Sequence, residues 1–206
     1  MMSLTTIKLR LRDKHAAELN RQARAVNYVW NYCNEMQQKA ARSGRKWLTA
    51  TELQRLTAGS CKLLGLHANT ICVVCQQYEQ SRKQRRKAWL RFRGTKSLGW
   101  VPFGHSRHGI TIVAPRKVKF RSRIYETMHW RTHLATNGLV HTGSFNQDAR
   151  GRWYVNIPVE VPDDFYATAS RGVVGIDLGL RDIATLSTGD KVENLQIGRA
   201  SCRERV

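Results

Sequence analysis

One carboxylate and one long cationic run are the parts of this chain that could do chemistry. The carboxylate is Asp177, inside Val173-Val174-Gly175-Ile176-Asp177-Leu178-Gly179-Leu180-Arg181-Asp182-Ile183-Ala184-Thr185-Leu186-Ser187. Val173 to Ile176 reads as a buried strand. Asp177 then stands at the strand's end, and Gly179 is free to adopt φ > 0 and turn the chain back. Ile183 to Ser187 is the expected returning strand, with Ser187-Thr188-Gly189-Asp190 as the next turn. A carboxylate held by rigid strand neighbours can ligate a metal. Its plainer reading is a turn aspartate that closes a hairpin.

The cationic run spans Gln80 to Tyr125, 46 residues with 14 basic side chains and no acidic one. Arg82, Lys83, Arg85 and Arg86 are its densest part, followed by Arg91 and Arg93, and then by Arg116, Lys117, Lys119, Arg121 and Arg123. Trp89, Phe92, Trp100, Phe103 and Phe120 interleave with them. Cationic groups neutralise phosphates, and aromatic faces stack on unpaired bases. A solvated charged face mixes both signs, so this pattern marks the run as nucleic-acid-binding. Lys8 and Arg10, on the outer face of an early strand, join the candidate phosphate contacts.

Composition agrees with such a partner. The chain has 206 residues, 41% of them hydrophobic, a formal net charge of +20 and a pI near 10.6. That balance implies a polyanion. No segment approaches the ~18 apolar residues of a membrane span, and no basic-then-apolar leader opens the chain, so a cytosolic location is expected. The five cysteines (Cys33, Cys61, Cys72, Cys75 and Cys202) follow no disulfide framework and read as reduced thiols. Cys72 and Cys75 lack the second pair that a zinc site needs. The charge is divided along the chain: residues 1–159 carry 29 Lys/Arg against 7 Asp/Glu, a net of +22, and residues 160–193 carry 3 against 7, a net of −4. The sign changes beside Pro158, Pro162, Asp163 and Asp164, where a domain boundary is expected.

Several elements must position these groups. Thr5 to Arg12 alternates, with Ile7, Leu9 and Leu11 on one face and Lys8, Arg10 and Arg12 on the other. From Lys14 to about Arg42 the period is helical, and Leu19, Ala23, Val26, Trp30, Cys33, Gln37 and Ala40 form one stripe. Thr49-Ala50-Thr51-Glu52 has capping-box spacing and should open a short helix ending near Gly59. Asn69 is the expected cap of another helix, running to about Ala88. Ile110, Ile112 and Val118 to Phe120 suggest strands broken at Pro115. Gly143 to Gln147, a turn at Asp148-Ala149-Arg150-Gly151, and Arg152 to Val161 read as a hairpin with Pro158 at an edge.

Gly175-Ile176-Asp177-Leu178-Gly179 followed by Ile183-Ala184-Thr185 resembles the first acidic motif of RuvC-type nucleases, which have an RNase H-like fold. It is most similar to the version in TnpB proteins, the RNA-guided nucleases of insertion sequences and relatives of the type V CRISPR effectors. Asn27-Tyr28-Val29-Trp30-Asn31 resembles the aromatic-asparagine signature of that family's first long helix. Trp89-Leu90-Arg91-Phe92-Arg93 resembles its short Phe-rich strand, and Gly151-Arg152-Trp153-Tyr154-Val155 the strand before its nuclease domain. The resemblance covers residues 5 to 196. It implies an α+β chain in which residues 1–162 form a basic guide-RNA- and DNA-binding region. Within that region a β-barrel, with strands at about 5–12 and 90–161, is interrupted by a helical insert over about 14–88. Residues 172–196 would begin a truncated RuvC-like domain. Hsp70-like ATPases and sugar kinases carry a related Asp-x-Gly hairpin, but there a Thr or Ser usually follows the glycine, and here Leu180 does.

The same resemblance implies that Asp177 is the first catalytic carboxylate, a ligand of magnesium. Two-metal cleavage needs several such acids. The family's later Glu and Asp, and its zinc ribbon, match nothing here; zinc is expected only in a missing C-terminal part. Asp182 and Asp190 match no family ligand. The implied partners are a guide RNA and target DNA in a prokaryotic cytoplasm, without a membrane. Ile197 to Val206 breaks every pattern, reads as the translation of a common short-read sequencing adapter, and is expected to be a non-native tail. The chain as it stands is therefore expected to bind nucleic acid without cutting it, and a basic module with no chemistry is the alternative. In the uninterrupted protein, Asp177→Asn is expected to abolish magnesium-dependent strand cleavage and to leave RNA binding intact, because a hard cation requires charged oxygen ligands. Cleavage and filter-binding assays on the pair check this.

Overall fold

Strict alternation makes the first strand: β1 (Met2–Arg10) buries Leu9 and half-buries Ile7, and turns Lys8 to solvent. The computed structural model of the protein describes residues 2–105, 109–130, 141–162, 175–177 and 182–193. The chain divides into two compact units, Met1–Pro162 and Asp163–Val206.

In the first unit β1 pairs antiparallel with β7 (Trp153–Pro162), placing Leu9 opposite Val155 and Ile7 opposite Ile157. The other edge of β7 takes β6 (Gly143–Gln147), and β6 takes β2 (Trp100–Phe103), so the order is β1-β7-β6-β2. Trp153, Val155, Ile157 and Val159 of β7 are buried. The pairing of β6 with β7 stops at Asn156, and the Pro158 carbonyl accepts the His141 N–H instead. The missing donor of Pro158 therefore falls where β7 has lost its second strand neighbour. The β6–β7 turn is closed by Asp148, whose Oδ1 accepts the Arg150 and Arg152 N–H groups at 2.9 and 2.8 Å. A meander of β3 (Ile110–Ala114), β4 (Lys117–Phe120) and β5 (Arg123–Glu126) makes a second sheet.

Phe145 joins the two sheets, with ring centroids 5.5 Å from Phe103, 5.5 Å from Phe120 and 5.1 Å from Tyr125. The expected barrel is corrected: among the described residues both sheets are open. The sheet ends at β2, against which the helices Ala16–Arg42 and Ala68–Arg85 pack.

A 3-10 turn at Asp13–His15 leads into α1 (Ala16–Arg42), and every residue of the expected stripe is buried. Thr49 and Glu52 form both bonds of a capping box on α2 (Ala50–Leu56). Gly59, at φ 80, then starts a separate α3 (Ser60–Leu64), so α2 ends earlier than its spacing suggests. The last helix, α4 (Ala68–Arg85), is capped by His67 rather than Asn69: the ring Nδ1 accepts the Asn69 N–H. It stops before Ala88 because Arg86 turns left-handed at φ 50. Cys33 and Cys75 meet in the core with Sγ atoms 3.8 Å apart, while Cys72 is half-buried.

The largest departure lies at 89–93, which is not a strand. Its buried backbone must still be hydrogen-bonded, and α1 supplies the partners. The Asn34 amide donates to the Leu90 carbonyl at 2.7 Å, and its Oδ1 accepts the Leu90 N–H at 2.8 Å. Three residues earlier on the helix, Asn31 does the same for Arg93, at 2.8 and 2.7 Å. Tyr78 Oη donates to Asn34 Oδ1 at 2.9 Å, tying α4 to the same point.

The second unit contributes a three-stranded antiparallel sheet of β8 (Ile176–Asp177), β9 (Asp182–Leu186) and β10 (Lys191–Glu193), in the order β10-β9-β8. The returning strand and the turn at Ser187–Asp190 are present, with Gly189 at φ 94. Of the strand expected to be buried, Gly175 and Ile176 are described and both are exposed, as is Asp177 in the two-residue β8. Val173, Val174, Gly179, Leu180, the Asp163-Asp164 linker and residues 197–206 lie outside the described residues.

Asn34→Ala leaves the Leu90 N–H and carbonyl and the Tyr78 hydroxyl without partners in the core. It is expected to destabilise the first unit by roughly 3 kcal/mol, read as a lower urea midpoint at unchanged slope. Asn31→Ala, at the half-buried end of the strap, should cost less.

Candidate nucleic-acid interface

The pinned strap forms one wall of a cleft. Its opposite wall is the last turns of α4, its floor is Trp30 and Trp100, and its far rim is Asn146 and Gln147 of β6. The cleft measures about 1060 Å³ and has no acidic residue in its lining. Arg85, Arg91 and Lys96 stand on its walls, exposed and without an ion pair to a described residue. Phe92 lies on the strap between the two asparagine pins and is 48% exposed. Lys96 is a candidate that the density of charge alone did not single out; its place on the rim comes from the turn at 94–97, where Gly94 and Ser97 bond each other.

Two of the expected phosphate contacts are corrected. Arg82 is 1% exposed: it points from α4 into the core, where Nη2 donates to the Leu48 carbonyl at 2.8 Å and the guanidinium lies 4.7 Å from the Trp47 ring. Burial pushes its pKa below the ordinary arginine value. Arg93 is half-buried. Its Nε donates to Asn27 Oδ1 at 2.6 Å and Nη2 to the Leu98 carbonyl at 2.9 Å, and its Cζ lies 5.8 Å from both the Trp30 and Trp100 rings. Burial lowers its pKa as well. Both cations are used up in holding the fold. Helical position explains Arg82, which falls one turn after the buried Tyr78. Phe103 and Phe120 likewise belong to the core.

The remaining candidates are spread over other surfaces of the first unit. Lys83 is exposed but paired with Glu79 at 2.8 Å, and Arg86 is exposed at the end of α4. On β4, Lys117 and Lys119 face outward because Val118 and Phe120 face the core. Arg116 and Arg121 occupy the turns at the two ends of that strand, and both are exposed. Arg123 is 3.9 Å from Glu18, whose carboxyl is held at about 2, chiefly by the hydrogen bond from Arg21. Lys8 sits 4.5 Å over the Tyr154 ring, and Arg10 pairs with Asp13 at 3.4 Å.

The three described non-glycine residues with φ > 0 are all arginines: Arg86 (φ 50), Arg116 (φ 63) and Arg121 (φ 59). A left-handed conformation costs an L residue roughly 1–2 kcal/mol. Glycine would remove that cost, so what arginine adds at these turns is its charge.

Asp177 is placed beside Thr185 in the β8–β9 ladder, with its side chain in solvent. Its oxygens are accessible to a cation, but among the described residues no three acidic, histidine or cysteine side chains converge. Asp190 accepts the Thr188 hydroxyl at 2.8 Å instead. One carboxylate does not complete the oxygen shell of magnesium, so no step of metal-assisted cleavage follows from these residues. Comparison with protein-family models and with curated proteins finds no match.

Arg121→Gly is expected to leave stability unchanged or to raise it by up to about 1 kcal/mol, while weakening nucleic-acid binding. Thermal melts alongside anisotropy titrations separate the two effects.

Proposed function

We propose that residues 1–162 are the RNA-binding region of a TnpB-like RNA-guided nuclease. One observation carries the reading: cations from an acid-free stretch of sequence come to the surface unpaired around the cleft and along β4. Unpaired like charges repel one another in the free protein, and a phosphate backbone relieves that repulsion and releases its own counterions. The resemblance of the Asp177 motif, and the succession of strand, helices, strands and acidic hairpin, support the nuclease assignment. In that assignment Asp177 supplies the first of several magnesium ligands, guide RNA and target DNA are the partners, and this chain binds without cutting.

Binding is then steeply salt-dependent. If about six phosphates of a single strand are neutralised, log affinity falls with log salt at a slope of roughly −4. Replacing Arg85, Arg86, Arg91 and Lys96 together by glutamine should flatten the slope by about 3. Anisotropy of labelled RNA across a potassium chloride series measures both. A wild-type slope near zero would overturn the RNA-binding reading, and an unchanged slope in the variant would move the binding surface away from the cleft.

A further inference from the structure

We infer that the cleft between α4 and the 90–99 strap is a base-stacking site for unpaired nucleotides, with Phe92 as the platform and Gln77 and Ser81 facing the base edges. The inference rests on the reading of residues 1–162 as RNA-binding and adds which form of the nucleic acid enters and how it is held.

The first observation is the fixed exposure of Phe92. A phenyl ring left 48% in water forgoes part of its hydrophobic stabilisation. It cannot recover this by turning inward, because Asn34 clamps both backbone groups of Leu90 and Asn31 clamps both of Arg93. Leu90 is held in the core, and Arg93 is held by Asn27 and the two indoles. The two residues between the pins, Arg91 and Phe92, are therefore presented outward together. The order lost on binding is already lost in the free protein, which favours affinity.

The second observation is the wall opposite. Gln77, Ser81 and Arg85 follow one another at intervals of four along α4 and share the face that lines the cleft. The Gln77 and Ser81 side chains bond no described residue. A carboxamide and a hydroxyl both donate and accept, so they can meet the mixed edge of a base, which a purely cationic wall cannot do.

Shape and charge select the occupant. A volume of about 1060 Å³ is just above the ~300–1,000 Å³ range that encloses a small ligand. That is room for a few groups of nucleotide size and not for a double helix. Duplex bases are stacked on each other and offer no face to Phe92, whereas an unpaired base does. Arg85, Arg91 and Lys96 stand where the phosphates on either side of a stacked base would pass.

The test titrates the full chain with a short fluorescein-labelled RNA single strand and with the same strand annealed to its complement. The wild type is expected to prefer the single strand. Phe92→Leu keeps an apolar side chain and the fold but has no π face, and it should lose about tenfold in single-strand affinity. Its salt slope and duplex affinity should stay the same. Phe92→Trp should bind at least as tightly as the wild type. Tyr28→Ala removes another exposed aromatic, outside the cleft lining, and should change nothing. Single-strand affinity unchanged in Phe92→Leu, with a steep wild-type salt slope, overturns the stacking site and leaves the RNA-binding reading standing. A wild type that binds neither strand nor duplex overturns both.

Discussion

The first unit depends on one constraint: the backbone of residues 90–93 enters the core with no strand beside it. Buried N–H and carbonyl groups left unpaired would each cost on the order of 1–3 kcal/mol. Asn31 and Asn34 remove that cost because a carboxamide presents one donor and one acceptor, the same pair that a neighbouring strand would offer. Three residues apart on α1, they face the strap together. Leu90 is thereby set in the core, Arg93 beside the Trp30–Trp100 pair, and Phe92 in solvent. The Tyr78 hydroxyl on Asn34 makes α4 part of the same arrangement, so the two walls of the cleft are fixed to one point.

Arginine serves two opposite purposes in this chain. Arg93 is withdrawn from water onto the Asn27 amide oxygen, the Leu98 carbonyl and two indole faces, and Arg82 onto the Leu48 carbonyl and the Trp47 indole, with its Nε and Nη1 buried and unpaired. A buried cation is costly to desolvate, and here the gain is in tying loops to helices. Arg86, Arg116 and Arg121 do the reverse: each accepts a strained backbone and keeps its charge in water. Both kinds add equally to the net charge of +20. Composition alone cannot separate them.

The second unit is close to neutral, with 6 Lys/Arg against 7 Asp/Glu over residues 163–206, and its described part is a small sheet. Asp177 is exposed there, at the end of β8. A carboxylate in that position is available to a cation, and its chemistry depends on further acids brought alongside it.

Much of this was legible in the residues themselves. Alternation set β1 and β7, the 3.6-residue stripe set α1 from Leu19 to Ala40, and Thr49 with Glu52 set the start of α2, because each of these signals is local. The acid-free run announced a cationic surface. Tertiary structure alone decided which cations reach that surface. Arg82 and Arg85 sit three apart in one basic cluster, and only the packing of α4 against residues 47–48 buries the first and leaves the second on the cleft wall. It also decided that 89–93 is a strap and not a barrel strand. Its aromatic and apolar residues have strand propensity, but a strand needs a partner, and the partners it met were two asparagines more than fifty residues away on a helix. A hydrogen bond between distant segments leaves no local period to read, and for that reason the cleft could not be found before the chain was folded.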